Sequence, residues 1–449
     1  MRIIPILACL FLAHGEQNGT TLSIVKIYSN FAEIIRQVSD DQLPIEFSSG
    51  EWSDIRSDTI TLFGNNIVVT SQTITEKKGS LNGERIYIRQ STTDQSITTV
   101  PAIMIDEKRN LVQDLTLNSR YYTVTNDRIE YGKMPPTDKY IVSFTYVSLN
   151  NTDGQFYISY LRSNLNWKTR YNLMLYNDGE KQQKTVLIGY ADIRNNGVDS
   201  VVIESAELFG GDVNIRLNSP QQQYSTEYNR NPAASLTVNL AAASTFAPSI
   251  SSAEELAGVY VFNIDKPFTI ESKTNYVLPM LQPIVQVERY ASISKAFDKF
   301  NTRTRGKAQR SYRLRSNQFL AKGSVILRES DRLVGESTWP DIAANDSYEF
   351  SIGTDPDIVY KENVTLLSTD KAMEQRYYSN RSSYEINLKL KNFKKRPIKV
   401  EYTQKFYSLQ FTLEDKTSKF IRDGSDVNAK FSLQSDEEKD YQYRIEIIE

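Results

Sequence analysis

Residues 311–361 read SYRLRSNQFLAKGSVILRESDRLVGESTWPDIAANDSYEFSIGTDPDIVYK, and this stretch decides the fold class. Two apolar runs, Val325–Leu327 and Leu333–Val334, flank the polar Arg328–Arg332, and Gly335 ends the second run. That is the pattern of a hairpin on a half-buried sheet. A second strand pair, Tyr348–Ile352 and Ile358–Tyr360, is expected to be joined by a turn at Gly353–Asp357. The stretch specifies β architecture and points to no reaction.

The same period extends outward in both directions. Downstream, Tyr384, Ile386, Leu388 and Leu390 alternate with Glu385, Asn387, Lys389 and Lys391, and Ile398, Val400 and Tyr402 repeat the pattern. With Phe411, Phe431, Tyr441 and Tyr443 in further alternating runs, an immunoglobulin-like sandwich without a disulfide is expected over 367–449. Upstream, Tyr140, Val142, Phe144 and Tyr146 fall on one strand face. Phe156–Leu161, Tyr171–Tyr176, Thr185–Ile193 and Ser200–Leu208 follow at sandwich spacing, and shorter β segments run from Ile24 to Ile105. The fold class is therefore mainly β: tandem antiparallel β-sandwich-like domains with few short helices.

The expected division is a leader at 1–15, an N-terminal β domain at 16–131, a Pro-stiffened connector at 132–139, a central β domain at 140–366, and the sandwich at 367–449. Residues 217–256, rich in Gln, Asn, Ser, Ala and Pro, lack apolar periodicity and are expected to be a mobile insertion. A short helix near Ala253–Leu256 is the alternative there.

At 449 residues, 39% apolar and 24% charged, the chain has the composition of a soluble globular protein of two or three domains. Its start, MRIIPILACLFLAHG, has Arg2, an apolar run Ile3–Ala13, and small residues Ala13 and Gly15 ahead of Glu16, the pattern of a cleaved secretory signal. No stretch has the length of about twenty apolar residues that a bilayer takes, so an exported chain without a membrane span is expected. The only cysteine, Cys9, and the only histidine, His14, fall in that leader. The processed chain would then have no disulfide, no thiolate or imidazole ligand, and no Ser-His-Asp or Cys-His machinery. Sequons at Asn18, Asn150, Asn345, Asn363 and Asn380 suit a glycosylated exported protein. Losing Arg2 takes the formal charge from −2 to −3, which argues for no nucleic-acid partner.

Asn317, the hairpin start Leu320–Val325, the Val334–Ser337 turn and Gly353–Pro356 together resemble the signature half of the mucoidy-inhibitor-A-like family, whose shared module is a domain of unknown function. Trp167 and Tyr171 stand at the places of that family's Trp-x-Pro-x-Tyr motif, with Thr169 in place of the proline. Ala191–Asn195 is similar to the strand after it, and Gly197–Ser200 departs from the Gly-Glu-Asp-Trp that follows. Val25–Arg36 is similar to the family's N-terminal β module. The resemblance covers most of residues 23–449 and implies β modules, here without the coiled coil that many relatives place between them. It implies no catalytic residue, because none is established for the family.

Arg303, Arg305, Lys307, Arg310, Arg313 and Arg315 place six cations within thirteen residues, largely at period two, as on one face of a strand. Lys391, Lys394, Lys395, Arg396 and Lys399 form a second cluster. Left unpaired, the first would suit a sulfated or uronic polysaccharide; paired, it is a solvated strand face. Asp355, Asp357 and Glu362 are oxygen ligands of the kind calcium takes, yet they lack a Gly-centred loop and read more plainly as a turn before a strand. Trp52, Trp167 and Trp339 are sugar-stacking candidates, although isolated Trp residues more often belong to a core. A glycosidase needs two placed carboxylates, and 55 acidic residues offer no way to choose them. The reading is thus a secreted β-rich binding or structural protein with no cofactor. Its partner would be an acidic polysaccharide or another extracellular protein. A carboxylate-dependent glycan hydrolase is the alternative, distinguished by a deep cleft holding two carboxylates.

Overall fold

The computed structural model describes residues 23–91, 97–116, 120–148, 156–176, 184–211, 213, 215, 248–251, 253–374, 377–407, 410–415 and 417–448. The leader at 1–15, Asn18, Asn150 and most of 217–256 lie outside these residues. The chain is mainly β, with several separate sheets and a few short helices, as the alternation requires. It forms two compact units, each assembled from two stretches of sequence: unit 1 is Met1–Trp167 with Asp192–Leu278, and unit 2 is Lys168–Ala191 with Pro279–Glu449.

Unit 1 starts with a hairpin of β1 (Ser23–Ile27) and β2 (Ala32–Val38), where Val25 and Ile27 are fully buried in alternation with Ile24 and Lys26. After β3 (Ile45–Ser48), helix α1 (Ser49–Asp54) is fixed by a capping box: Ser48 Oγ accepts from the Glu51 N–H, and the Glu51 carboxylate accepts from the Ser48 N–H. β4 (Ile55–Gly64) and β5 (Ile67–Lys77) follow. A small sheet then forms from β6 (Arg85–Ser91), β7 (Ile97–Asp106), β8 (Leu111–Asp114), β9 (Tyr121–Thr123) and β10 (Ile129–Tyr131). Its order is β10-β6-β7-β8-β9, around a core of its own that includes Ile86, Ile88, Met104 and Val112. β11 (Lys139–Ser148) returns to pair with both β3 and β5, and β12 (Phe156–Arg162) lies between β2 and β4.

The connector expected at 132–139 is therefore one leg of an insertion between β5 and β11. The other leg passes against it at Gly79, whose N–H donates to Asp138 at 2.8 Å and where a Cβ would lie 2.4 Å from the Pro136 carbonyl oxygen. Strands β13 (Leu165–Leu175) and β14 (Val186–Asn195) come next, and the division between the units falls within both. β15 (Val201–Gly210) runs parallel to β1, and β16 (Glu254–Leu256), β17 (Val259–Ile264) and β18 (Phe268–Ile270) complete an eight-stranded sheet. The end of the expected insertion belongs to that sheet: Ile250 bridges Ile264, and 254–256 is a strand, not a helix, held by pairing with Val259–Val261.

Unit 2 has two cores threaded by the same strands. β19 (Thr274–Leu281) edges a five-stranded sheet ordered β19-β14-β13-β22-β23, in which β22 is Gly323–Glu329 and β23 is Arg332–Trp339. The expected hairpin is present, turning at Ser330 and Asp331, both at positive φ. Gly335 does not end β23; it admits Ile352, whose Cβ would lie 2.9 Å from a Cβ at this position. Tyr171, Leu173, Val325, Leu327, Trp339 and Phe350 are buried together in this first core.

β20 (Val285–Ala296), β21 (Arg303–Ser316) and β24 (Ser347–Glu374) then continue into a nine-stranded sheet with β25 (Tyr377–Asn392), β26 (Ile398–Lys405), β27 (Gln410–Glu414), β28 (Phe420–Asp423), β29 (Asp426–Leu433) and β30 (Glu438–Ile448). Its order is β27-β30-β25-β24-β21-β20-β26-β29-β28. The turn expected at Gly353–Asp357 is instead a bend inside β24. Register slips between Lys307 and Gln309 and again before Ser311, Gly353 has φ +113°, and Pro356 sits in the bulge where no ladder donor is needed.

Beyond the bend the sheet doubles back on itself. Phe420 of β28 meets Tyr443 of β30 at 4.3 Å and Phe431 of β29 stacks on Tyr441 at 4.0 Å, so the two facing layers of the C-terminal region come from one continuous sheet. The expected boundary at 366/367 lies inside β24, which ties both cores together. Three parallel pairs, β1–β15, β13–β22 and β20–β26, interrupt the expected antiparallel pattern among the described strands.

Candidate functional site

All six cations of the first cluster lie on β21, and the bend divides them. On the far side of it, Arg303, Arg305 and Lys307 are exposed, alternating with Thr304, Gly306 and the buried Ala308 of the second core. Their cross-strand partners on β24 are Asn363, Lys361 and Val359. Gly306 lets β24 close over this stretch, since a Cβ there would fall 2.5 Å from Cζ of Tyr360. Lys361, which sequence reading leaves out of the cluster, is exposed on the same face, directly opposite Arg305. None of these four cations makes an ion pair or side-chain hydrogen bond among the described residues. The next strand ends the excess, because Lys389, opposite Lys361, is matched by Glu438 at 3.2 Å and Asp440 at 3.5 Å.

Before the bend, Arg313 is neutralised. Arg313 contacts Glu288 at 2.6 Å, Glu349 at 2.7 Å and Glu401 at 2.9 Å, and its guanidinium lies 4.8 Å from the Tyr290 ring. Burial works against its charge, but the hydrogen bonds to Glu401, Glu349 and Glu288 raise its pKa further. The Lys399 ammonium, helped by Arg313, holds Glu288 below the usual carboxylate range. Burial pushes Glu349 up, and hydrogen bonds from Arg313 and Tyr290 bring it net below that range. Arg310 points its Nη2 toward the Ile352 carbonyl at 3.4 Å, and Arg315 is exposed between Gln286 and Ser347. The cluster that sequence places as one strip is thus a free triplet joined by Lys361 and a separate end at which Arg313 alone is ion-paired. Only the partners on neighbouring strands could have revealed the split.

The remaining candidates take structural places. Asp355 and Asp357 converge on Lys394, at 2.9 and 3.5 Å, while Glu362 faces the opposite side of β24 and is buried against Lys295 at 2.6 Å and the Tyr402 hydroxyl at 2.7 Å. The three carboxylates therefore do not share one ligand shell. Trp339 and Trp167 are core residues, with Trp167 Nε1 donating to the Phe209 carbonyl, and Trp52 stacks on Tyr140 at 4.5 Å. Asn345 lies in an exposed turn at φ 64° and Asn363 is exposed on β24; Asn380 falls on β25.

The glycosidase alternative turns on carboxylates. A cleft of about 410 Å³ in unit 2 has Glu288 as its one acidic lining residue, and that group is held ionised rather than poised as a proton donor. In unit 1, Asp54 is raised by burial, with Asp199 pushing the same way and Arg162 and Lys273 opposing. Asp54 accepts from Asn164 Nδ2 and lies 3.9 Å from Arg162. Gly197 passes close to the Arg162 and Asn164 side chains: a Cβ there would fall 2.1 Å from Asn164 Nδ2 and 2.9 Å from Arg162 Nη2. Asn164, which donates to Asp54, also accepts from the Asn196 N–H through its backbone carbonyl, so the group braces the loop after β14.

No protein-family model matches the chain, and no curated protein matches it.

Proposed function

We propose that this protein is an exported, β-rich binding module that holds a linear acidic polysaccharide along the outer face of β21 and β24. The observation that carries the reading is the unpaired quartet Arg303, Arg305, Lys307 and Lys361, with Arg305 and Lys361 directly opposed. Like charges in a cross-strand pair destabilise a sheet by a few tenths of a kcal/mol, and a chain that keeps them without a carboxylate between leaves room for a ligand's anions. Residues two apart on a strand are about 6.8 Å apart and neighbouring strands about 5 Å. Each cation thus lies within a screening length of about 8 Å of its nearest neighbour in the strip, although Arg303 and Lys307, four residues apart, are separated by about 13.6 Å. The four cations form a strip along two paired strands, which suits a polymer with regularly repeated anions better than a single small one. The leader pattern and the sequons support the extracellular setting. The resemblance to the mucoidy-inhibitor-A-like family brings no activity with it, so the argument rests on this face.

Binding of immobilised heparin and of a uronic polysaccharide, for the wild type and for Arg305→Glu with Lys361→Glu, tests the reading. Retention by the wild type and its loss in the double variant are expected. Equal retention of both would overturn it, and release of reducing ends from either glycan would move the reading to a hydrolase.

A further inference from the structure

A second cationic feature of unit 2 is concave. The cleft of about 410 Å³ beside β20 and the start of β26 falls in the range of small-ligand sites, about 300–1,000 Å³. Leu175, Val287 and Pro397 give it apolar lining, and Arg289, Arg396 and Lys399 give it charge. Arg289 is anchored, its Nε 3.3 Å from Glu329 Oε1 and its Nη2 donating to the Tyr176 carbonyl at 2.9 Å. Lys399 is matched by Glu288 at 2.6 Å.

Arg396 is different. It is exposed, and its side chain makes no ion pair or hydrogen bond among the described residues. Its backbone is nevertheless fixed. The fully buried Asn392 donates through Nδ2 to the carbonyls of Arg396 and Gln434, at 2.9 and 2.7 Å, and accepts from the Lys394 N–H through Oδ1. Lys394 is in turn tied to Asp355 at 2.9 Å. An unpaired guanidinium is therefore presented at the cleft by a braced loop.

Charge is also unbalanced behind the cleft. Tyr312, the register partner of Arg289, is 5% exposed and interacts with three guanidinium groups, Arg289, Arg310 and Arg396, against one carboxylate, Glu329. Burial, then Glu329, pushes its hydroxyl up to about 12, and the three arginines pull the other way. Arg310 Nε is buried and has no hydrogen-bond partner. Arg289 and Arg310 are half-buried and Arg396 is exposed, so three cations stand against one carboxylate, an excess that a bound anion would relieve.

We infer that this cleft binds a small organic carboxylate of one or two sugar rings in size, its anion received by Arg396 and Arg289 and its apolar side laid on Val287 and Pro397. The site uses none of the strip's residues and does not depend on polysaccharide binding there. Isothermal titration with D-glucuronate and with citrate, using D-glucose as the neutral counterpart, tests it on the whole protein. One saturable site is expected for at least one of the two carboxylates and none for glucose. Arg396→Ala should weaken binding at least about tenfold, while Arg305→Ser, on the strip, should leave it unchanged. Arg396 is exposed, so the variant should keep the wild-type melting temperature. Failure of both carboxylates to saturate by about 10 mM, saturation by sulfate alone, or equal affinity in Arg396→Ala would overturn the inference.

Discussion

The two ends of β21 carry the same residue types and meet opposite fates. At one end Arg303, Arg305 and Lys307 face Asn363, Lys361 and Val359; at the other Arg313 is enclosed by Glu288, Glu349 and Glu401. A basic run on one strand has no electrostatic meaning until its neighbours are known, because strands about 4.8 Å apart decide whether each charge is cancelled or reinforced. Here Arg313 is part of the scaffold, while Arg303, Arg305 and Lys307 make no ion pair among the described residues.

The largest effect should come from breaking the paired end. Arg313→Ala leaves three carboxylates facing one another and should lower unfolding stability by about 2 kcal/mol, a figure already reduced for the partial exposure of every partner. A denaturant midpoint shift measures this, and polyanion retention should not change. Unaltered stability would mean that the pairs contribute nothing.

A smaller effect at the same end depends on pH. Glu288 and Glu349 titrate below their usual value of 4.5, so the stability they add is fully present above that pH and is lost as pH falls through their lowered values. Because both are partly exposed, the loss should stay under about 1 kcal/mol. Unfolding curves at about pH 6 and about pH 3 should converge for Arg313→Ala relative to the wild type. A smaller change still is expected at the free end, where Lys361→Ser removes a like-charge pair and should stabilise by a few tenths of a kcal/mol while weakening retention. The least effect on stability belongs to Asn363→Gln. Asn363 is opposite Arg303, so a glycan there would cover the strip. In material from a glycosylating host the variant should lose one glycan by intact mass and bind the polyanion more tightly.

How much of this was legible in the sequence follows from the same geometry. The β class was readable because side-chain alternation is local: Tyr384–Lys391 falls on β25 with Tyr384, Ile386, Leu388 and Leu390 buried. The bend at Gly353 has the sequence of a turn because Gly, Asp and Pro punctuate both, and only the partner strand distinguishes a bulge from an ending. The two discontinuous units rest on pairings such as Tyr171 with Val325, which no local period encodes. The candidate strip was half readable. Its cations stood in the sequence, while Arg313's partners lie 25, 36 and 88 residues away.

The most direct test of the contrast is the salt dependence of heparin affinity, since each cation that neutralises an anion on a linear polyanion releases a counterion and steepens the fall with salt. The wild type is measured beside Arg303→Ser/Arg305→Ser/Lys307→Ser and beside Arg310→Ser/Arg313→Ser, each confirmed folded by circular dichroism at the temperature used. If the free end is the binding face, the triple variant loses affinity and most of the salt slope while the double variant keeps both. Equal losses in the two variants, or a larger loss from Arg310→Ser/Arg313→Ser, would contradict it.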